Sequence, residues 1–155
     1  MNTGRYNVLL VEDDLPAMEL AHRAAVGSCP EISLTMVGGG DTVLDWLNDS
    51  VANKEQMPYI ILIDLNLPKL DGLAVLRKLR MHDATRNIPI VAFSAEYTQA
   101  DVLMSYRAGA NTFVAKPVDL EQFTGFFREQ LAYWTQPRQR ELAFAAGQQG
   151  ATGRH

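Results

Sequence analysis

The chain has 155 residues, of which 47% are apolar, 14 are basic and 18 are acidic, so that its formal net charge is −4. This length favours one domain that can bury a core without disulfides. The acidic balance argues against binding to nucleic acid or acidic membranes, which requires clustered Lys and Arg. The single cysteine, Cys29, cannot form an internal disulfide, and no apolar run reaches the ~18–20 residues of a membrane span. We therefore expect a soluble, cytoplasmic protein.

Short aliphatic runs alternate with segments of helical periodicity along the chain. The candidate strands span 8–11, 32–37, 59–63, 88–93 and 113–115. The candidate helices span about 16–28, 41–49, 71–81, 98–108 and 119–134. Continuous apolar runs, rather than strict alternation, are typical of strands buried on both faces of a parallel sheet. Five strand–helix units in succession predict an α/β doubly wound fold.

The composition changes from residue 136 onward, where Gln, Gly, Arg and Ala dominate. We predict a folded domain over 6–135 and a C-terminal extension over 136–155, disordered from about 146 and either helical or irregular before that. About 20 residues are too few for a helix-turn-helix effector, so no effector domain is expected. The output of such a protein must then be a protein contact.

Polar residues follow four of the candidate strands, and the carboxyl ends of parallel strands form the ligand-binding edge of a sheet. These residues are Glu12, Asp13 and Asp14, then Asp64 and Asn66, then Ser94 and Glu96, and finally Lys116. Acids replace the glycine-rich loop that a nucleotide site needs after its first strand, which excludes such a site. Clustered carboxylates favour Mg²⁺, and Lys116 adds a second positive charge. Asp64 ends the middle strand and is the candidate nucleophile, which would form an acyl phosphate.

Four segments at these strand ends, taken together, resemble the receiver domain of two-component response regulators. They are Val11-Glu12-Asp13-Asp14, Asp64-Leu65-Asn66-Leu67-Pro68 with Asp71-Gly72, Ser94-Ala95-Glu96, and Lys116-Pro117. The resemblance covers residues 6–134 and implies a flavodoxin-like (βα)5 sandwich whose parallel strands run in the order 2-1-3-4-5. It also implies that Asp64 accepts a phosphoryl group from a phosphohistidine of a sensor histidine kinase or phosphotransfer protein.

The same resemblance implies a metal site around the acceptor. Mg²⁺, or Mn²⁺ in its place, would be bound by Asp13, Asp64 and the backbone carbonyl of Asn66, with Glu12 holding a metal-bound water. Lys116 would contact the phosphoryl oxygens, and its bond to Pro117 would be cis. The protein would then catalyse its own phosphorylation and dephosphorylation instead of turning over a separate substrate.

A conformational switch is implied as well. Ser94 would move toward the phosphoryl group, and Phe113 would turn inward, so that phosphorylation shifts a population between two arrangements. Phe113 stands where the family often has Tyr, which removes any output contact that depends on that hydroxyl. Asn66 and Glu96 would tune hydrolysis of the acyl phosphate by orienting water, and we expect a phosphoryl group that is not unusually long-lived.

The last candidate helix is rich in aromatic residues. Its helical stripe, which predicts packing on the sheet, comprises Leu120, Phe123, Phe127, Leu131 and Trp134. Phe126 and Tyr133 stand off that stripe, and together with Leu103, Met104 and Tyr106 they would form an exposed apolar face. We predict homodimerisation through the fourth and fifth helices and the strand between them.

Several alternatives stay open at this point. The details are similar to single-domain regulators paired with phytochrome-type histidine kinases, although nothing indicates a chromophore site. A pseudo-receiver that acts without phosphorylation would share the fold but not need the acid, hydroxyl and lysine set. A haloacid dehalogenase-type enzyme would need a second acid where Asn66 stands. An intermediate of a phosphorelay, in contrast, cannot be distinguished from an end-point regulator by sequence.

Overall fold

The computed structural model describes residues 5–38, 40–51, 57–66, 71–137, 139, 141 and 142. Five strands alternate with five helices along them. In chain order these are β1 (Tyr6–Val11), α1 (Leu15–Ser28), β2 (Ile32–Val37), α2 (Gly40–Val51), β3 (Ile60–Asp64), α3 (Gly72–Met81), β4 (Ile90–Ser94), α4 (Gln99–Ala108), β5 (Thr112–Ala115) and α5 (Leu120–Trp134). Each element falls within a few residues of its predicted bounds. Within the described residues, no helix combines the length and apolar character needed to cross a membrane.

The five strands form one parallel sheet in the order β2-β1-β3-β4-β5. This order confirms the predicted doubly wound, flavodoxin-like fold. The sheet order reverses between β1 and β3, so the carboxyl ends of these two central strands border the crevice where open α/β sheets bind ligands.

Each face of the sheet is covered by helices, as the continuous apolar strands require. One core contains Leu10 and Leu62 together with the buried faces of α1 and α5. The other contains Leu9, Ile61 and Ile63 together with residues from α2, α3 and α4. Burial on both faces fixes the strand register, because a one-residue shift would exchange the two sets of side chains.

The aromatic stripe of α5 packs on the sheet as predicted, but the buried face of the helix is wider than that stripe. Phe126 is only 8% exposed, and its ring meets Phe93 edge-on with centroids 5.8 Å apart. The prediction that Phe126 lies on an exposed face is therefore wrong. Tyr133, which was predicted beside it, is 45% exposed. Beyond α5 the described residues Pro137, Gln139, Glu141 and Leu142 are helical, while 143–155 lie outside the described residues.

Arg80, near the end of α3, holds the end of the sheet where the strands begin, opposite their carboxyl ends. Its Nη1 donates to the carbonyls of Arg86 and Ile88 at 2.8 Å, and its Nε donates to Gly109 O at 2.9 Å. Its Nη2 donates to Asn111 Oδ1 at 2.6 Å. Burial lowers the pKa of Arg80 to about 10, which leaves the guanidinium charged at neutral pH. The contact ties α3, the loop before β4 and the turn after α4 together.

Candidate functional site

The predicted acidic cluster forms at the carboxyl edge of the sheet. Glu12 follows β1 and Asp64 ends β3, and the two residues are 0% and 2% exposed. Lys116 follows β5, and its backbone N–H donates to Ser94 O at 3.0 Å, which seats it beside the end of β4. Three strand ends thus bring two carboxylates and one ammonium to a single point.

Lys116 is the counterion of both buried acids. Its Nζ donates a hydrogen bond to Asp64 Oδ2 at 2.7 Å and forms an ion pair with Glu12 Oε2 at 2.9 Å. The Lys116–Pro117 bond that carries this lysine is trans, since no cis peptide occurs among the described residues. The expected cis bond is therefore wrong here; the trans form of an X–Pro bond is intrinsically favoured by about 0.5–1 kcal/mol.

Burial sets the protonation of this cluster. Removal from water raises the pKa of Glu12 to about 7, against the lowering effect of Lys116. Burial alone would lower the pKa of Lys116, but its bonds to Asp64 and Glu12 outweigh burial and raise that pKa. Lys116 is therefore charged throughout the physiological range, while Glu12 titrates near neutral pH as long as no cation is bound.

Backbone amides orient both buried carboxylates. Asp14 N donates to Glu12 Oε1 at 3.0 Å, and Asn66 N donates to Asp64 Oδ1 at 2.8 Å. The side chain of Asp14 points elsewhere and caps α1 by accepting from Ala17 N at 3.1 Å. Asp14 is thus a helix cap, and Glu12 and Asp64 are fixed with one oxygen each toward Lys116.

Ser94 ends β4 and is buried, but its hydroxyl does not reach the acids. Its Oγ donates to the carbonyl of Glu96 at 2.9 Å within the loop that follows. The side chains of Asn66 and Glu96 are exposed beside this loop. A cleft of about 150 Å³ opens between Ser94, Asn66 and Phe113. Movement of the Ser94 hydroxyl toward Asp64 would require it to leave Glu96.

Phe113 lies at the outer edge of this cleft, on β5. The ring of Tyr97 meets it edge-on, with centroids 4.8 Å apart. On the other side, Phe113 N–H donates to the hydroxyl of Tyr106 at 3.3 Å. Phe113 is thus half-buried and held by two tyrosines of the segment between β4 and β5.

The donor set suits a small divalent cation. The buried carboxylates of Glu12 and Asp64 lie beside Lys116, and Asp13 directly follows Glu12 in the chain. Among the described residues no three acidic, His or Cys side chains converge as a complete cation cage. Mg²⁺ does not need one, since it binds through one or two carboxylates and keeps several waters.

Sequence reasoning missed two features, one at this site and one at the opposite end of the sheet. Tyr97 received no role, although an aromatic residue three positions after a strand end, on a ligand-binding edge, is a usable signal. Arg80 was also passed over, although it lies four residues after Leu76 and therefore on the buried face of α3. The contacts of Asp64, Glu12 and Lys116, in contrast, fall where the strand-end rule places them.

Comparisons with known proteins agree with this geometry. Residues 8–127 match the response regulator receiver domain family. Response regulator Rcp1 of Synechocystis is 27% identical over 128 residues, which cover 82% of this chain and 87% of that protein. A structure of Rcp1 in its Mn²⁺-bound form aligns with a TM-score of 0.69 at 26% identity, over 85% of this chain and 96% of that one.

Two further solved structures are similar over most of the chain. The phosphorylated cyanobacterial phytochrome response regulator RcpA aligns with a TM-score of 0.73 at 27% identity, over 86% of this chain and 96% of that one. The bacteriophytochrome response regulator RtBRR aligns with a TM-score of 0.64 at 38% identity, over 80% of this chain and 76% of that one. With its sheet order, its buried Asp64–Lys116 pair and the family match over 8–127, the chain belongs to the receiver domain family of two-component response regulators.

Proposed function

We propose that the protein accepts a phosphoryl group on Asp64 from the phosphohistidine of a sensor histidine kinase. The observation that carries this proposal is the buried Asp64 carboxylate, which is bonded to Lys116 at 2.7 Å at the topological switch point of the sheet. In the transfer, the P–N bond of the phosphohistidine breaks as the bond from an Asp64 oxygen to phosphorus forms. The leaving imidazole keeps the electron pair of the broken bond.

The surroundings of Asp64 supply charge and orientation, which phosphoryl transfer mainly requires. Lys116 lies within reach of oxygens attached at Asp64 and carries a charge that does not titrate near neutral pH. Asn66 N–H fixes the carboxylate from the other side. Mg²⁺, held by Asp13, Asp64 and the Asn66 carbonyl with Glu12 acting through water, would neutralise the incoming phosphoryl oxygens.

Asn66 and Glu96 are placed to influence hydrolysis of the acyl phosphate. Both side chains are exposed, and both border the cleft beside Ser94. Polar groups at such positions can orient a water molecule toward phosphorus. We therefore propose that the protein dephosphorylates itself and that its aspartyl phosphate is not unusually long-lived.

The switch would use the cleft beside Ser94. A phosphoryl group on Asp64 offers the Ser94 hydroxyl a charged acceptor, which binds more strongly than the neutral carbonyl of Glu96. If Ser94 leaves Glu96, the loop that carries Tyr97 is released, and Phe113 can turn into the cleft. The change would thus reach the face formed by α4, β5 and α5.

That face is where we place the output and a homodimer contact. Four large apolar side chains, each between 42% and 49% exposed, lie on it: Leu103, Met104, Tyr106 and Tyr133. Exposed apolar groups that lie together mark interfaces more often than single ones do. Sedimentation velocity before and after phosphorylation would measure the association.

The kinase partner is proposed to be of the phytochrome type. The support comes from RcpA and RtBRR, which are described as phytochrome and bacteriophytochrome response regulators. We also propose that the receiver unit spans 6–135; its last helix, α5, ends at Trp134. Passage of labelled phosphate from Asp64 to a histidine phosphotransfer domain would instead make the protein a relay intermediate.

Intact mass spectrometry after incubation with acetyl phosphate and Mg²⁺ tests the phosphoacceptor. The wild type should gain one phosphoryl group, and Asp64→Asn or addition of EDTA should abolish the gain. Asp83→Asn is the matched control, because the Asp83 side chain is 91% exposed and far from the sheet edge. If the wild type gains nothing while a partner kinase still binds it, the protein is a pseudo-receiver interaction module.

A further inference from the structure

Tyr106 links α4 to the free edge of the sheet. β5 is an edge strand, so the Phe113 N–H that points away from β4 has no strand to pair with. The Tyr106 hydroxyl accepts this N–H at 3.3 Å, across seven residues of chain. The same residue, Phe113, is also held by the ring of Tyr97. We name Tyr97, Tyr106 and Phe113 the aromatic latch.

The aromatic latch is mechanically joined to Ser94. Thr98 caps α4 in a reciprocal capping box, in which Asp101 N donates to Thr98 Oγ1 at 3.2 Å and Thr98 N donates to Asp101 Oδ2 at 2.8 Å. The loop that starts at Ser94 is therefore firmly continuous with α4. A displacement of this loop toward Asp64 must move Tyr97 and α4 relative to β5.

Few buried side chains hold α4 in place, although Arg80 contacts the glycine that ends it. Only Ser105 and Ala108 of its ten residues are buried, and both side chains are small. Helices with few buried apolar contacts belong to the least stable parts of a protein. A single bond from such a helix to the sheet edge can therefore weigh noticeably on its position.

We propose that Tyr106 is a positioning residue whose hydroxyl holds α4 against β5 in the unmodified arrangement and thereby opposes phosphorylation of Asp64. The inference rests on the proposed function. The Tyr106–Phe113 bond occurs together with the Ser94–Glu96 bond, which is lost when the single Ser94 hydroxyl proton is donated to a phosphoryl group on Asp64 instead. An interaction made in one of two states shifts the equilibrium toward that state, so its removal must favour the other.

The test compares the full chain with Tyr106→Phe and with Tyr6→Phe. Tyr6 is the matched control, because this substitution also removes one tyrosine hydroxyl, at the start of β1 and at the end of the sheet away from Asp64. The first readout is amide hydrogen exchange at Phe113 without ligand, which should be about two- to tenfold faster in Tyr106→Phe only. The second is the half-saturating concentration of beryllofluoride with Mg²⁺, a phosphoryl analogue, which should fall about two- to fivefold in Tyr106→Phe only.

Each outcome decides the matter. Unchanged beryllofluoride binding with faster Phe113 exchange would show that the hydroxyl only covers a strand edge, and the inference would be wrong. Weaker beryllofluoride binding by Tyr106→Phe would show that the Tyr106–Phe113 bond stabilises the phosphorylated arrangement. That result would also overturn the inference. If the wild type neither binds beryllofluoride nor gains a phosphoryl group on Asp64, the proposed function itself fails, and this inference falls with it.

Discussion

In the metal-free protein, the buried Glu12 should contribute less to stability as pH rises. Burial raises the pKa of this carboxyl from 4.5 to about 7, so the folded protein keeps the proton over a range in which the unfolded chain has released it. The contribution of Glu12 to the free energy of unfolding must then fall with pH between about 4.5 and 7. At 1.36 kcal/mol per pKa unit, the total loss is at most about 3 kcal/mol. Lys116, whose pKa is raised, is charged in both the folded and the unfolded chain across this window, so its own titration adds no pH dependence there.

Urea unfolding in EDTA at several pH values from 4.5 to 8 measures this effect. Glu12→Gln cannot titrate, so the stability of the wild type relative to this variant should fall by up to about 3 kcal/mol across the range. Glu19→Gln, an exposed position on α1, should show no such trend. The difference in free energy of unfolding, wild type minus Glu12→Gln, should fall with pH. If it stays constant or rises instead, the burial of Glu12 does not outweigh its pairing with Lys116, and the reasoning is refuted.

Three further predictions concern two glycines and the lysine of the site. Gly109 has φ +116°, and a Cβ there would lie 2.7 Å from Arg80 Cγ, so Gly109→Ala should cost about 1–3 kcal/mol in urea unfolding. Gly125→Ala, in mid-helix and with nothing within 4 Å, should instead stabilise by about 0.5–1 kcal/mol. Lys116→Met leaves two buried carboxylates without a counterion, so at pH 8 in EDTA it should cost about 3–5 kcal/mol. The cost of Lys116→Met at pH 5 should be smaller. An equal cost at pH 5 and pH 8 would contradict the pairing of Lys116 with the two carboxylates.

The fold and the location of the site follow from local rules. Continuous apolar runs identify buried strands, and polar residues directly after them, such as Glu12 and Asp64, must gather at one edge of a parallel sheet. The strand order came from the family resemblance, since periodicity alone does not choose neighbours. The sheet bears this out in every pairing.

What escaped prediction depends on contacts between distant segments. Phe126 lies off the helical stripe, yet the approach of α5 to Phe93 buries it, and no spacing rule contains that distance. The hydroxyl of Ser94 has one proton to donate, and only the path of the following loop determines that the carbonyl of Glu96 accepts it. The Tyr106–Phe113 bond joins two elements whose relative placement a linear pattern does not encode.

The Arg80 contact has a consequence for how the molecule responds to its surroundings. Its partners are neutral carbonyl groups, and among the described residues no carboxylate pairs with it, so it neither titrates near neutral pH nor competes with a mobile salt ion for a charged partner. The opposite end of the sheet depends on ionised groups throughout. The protein therefore has one end that is sensitive to ionic conditions and one that is insulated from them. A change of charge at the sensitive end can therefore shift the helices near it while the segments held by Arg80 keep their positions.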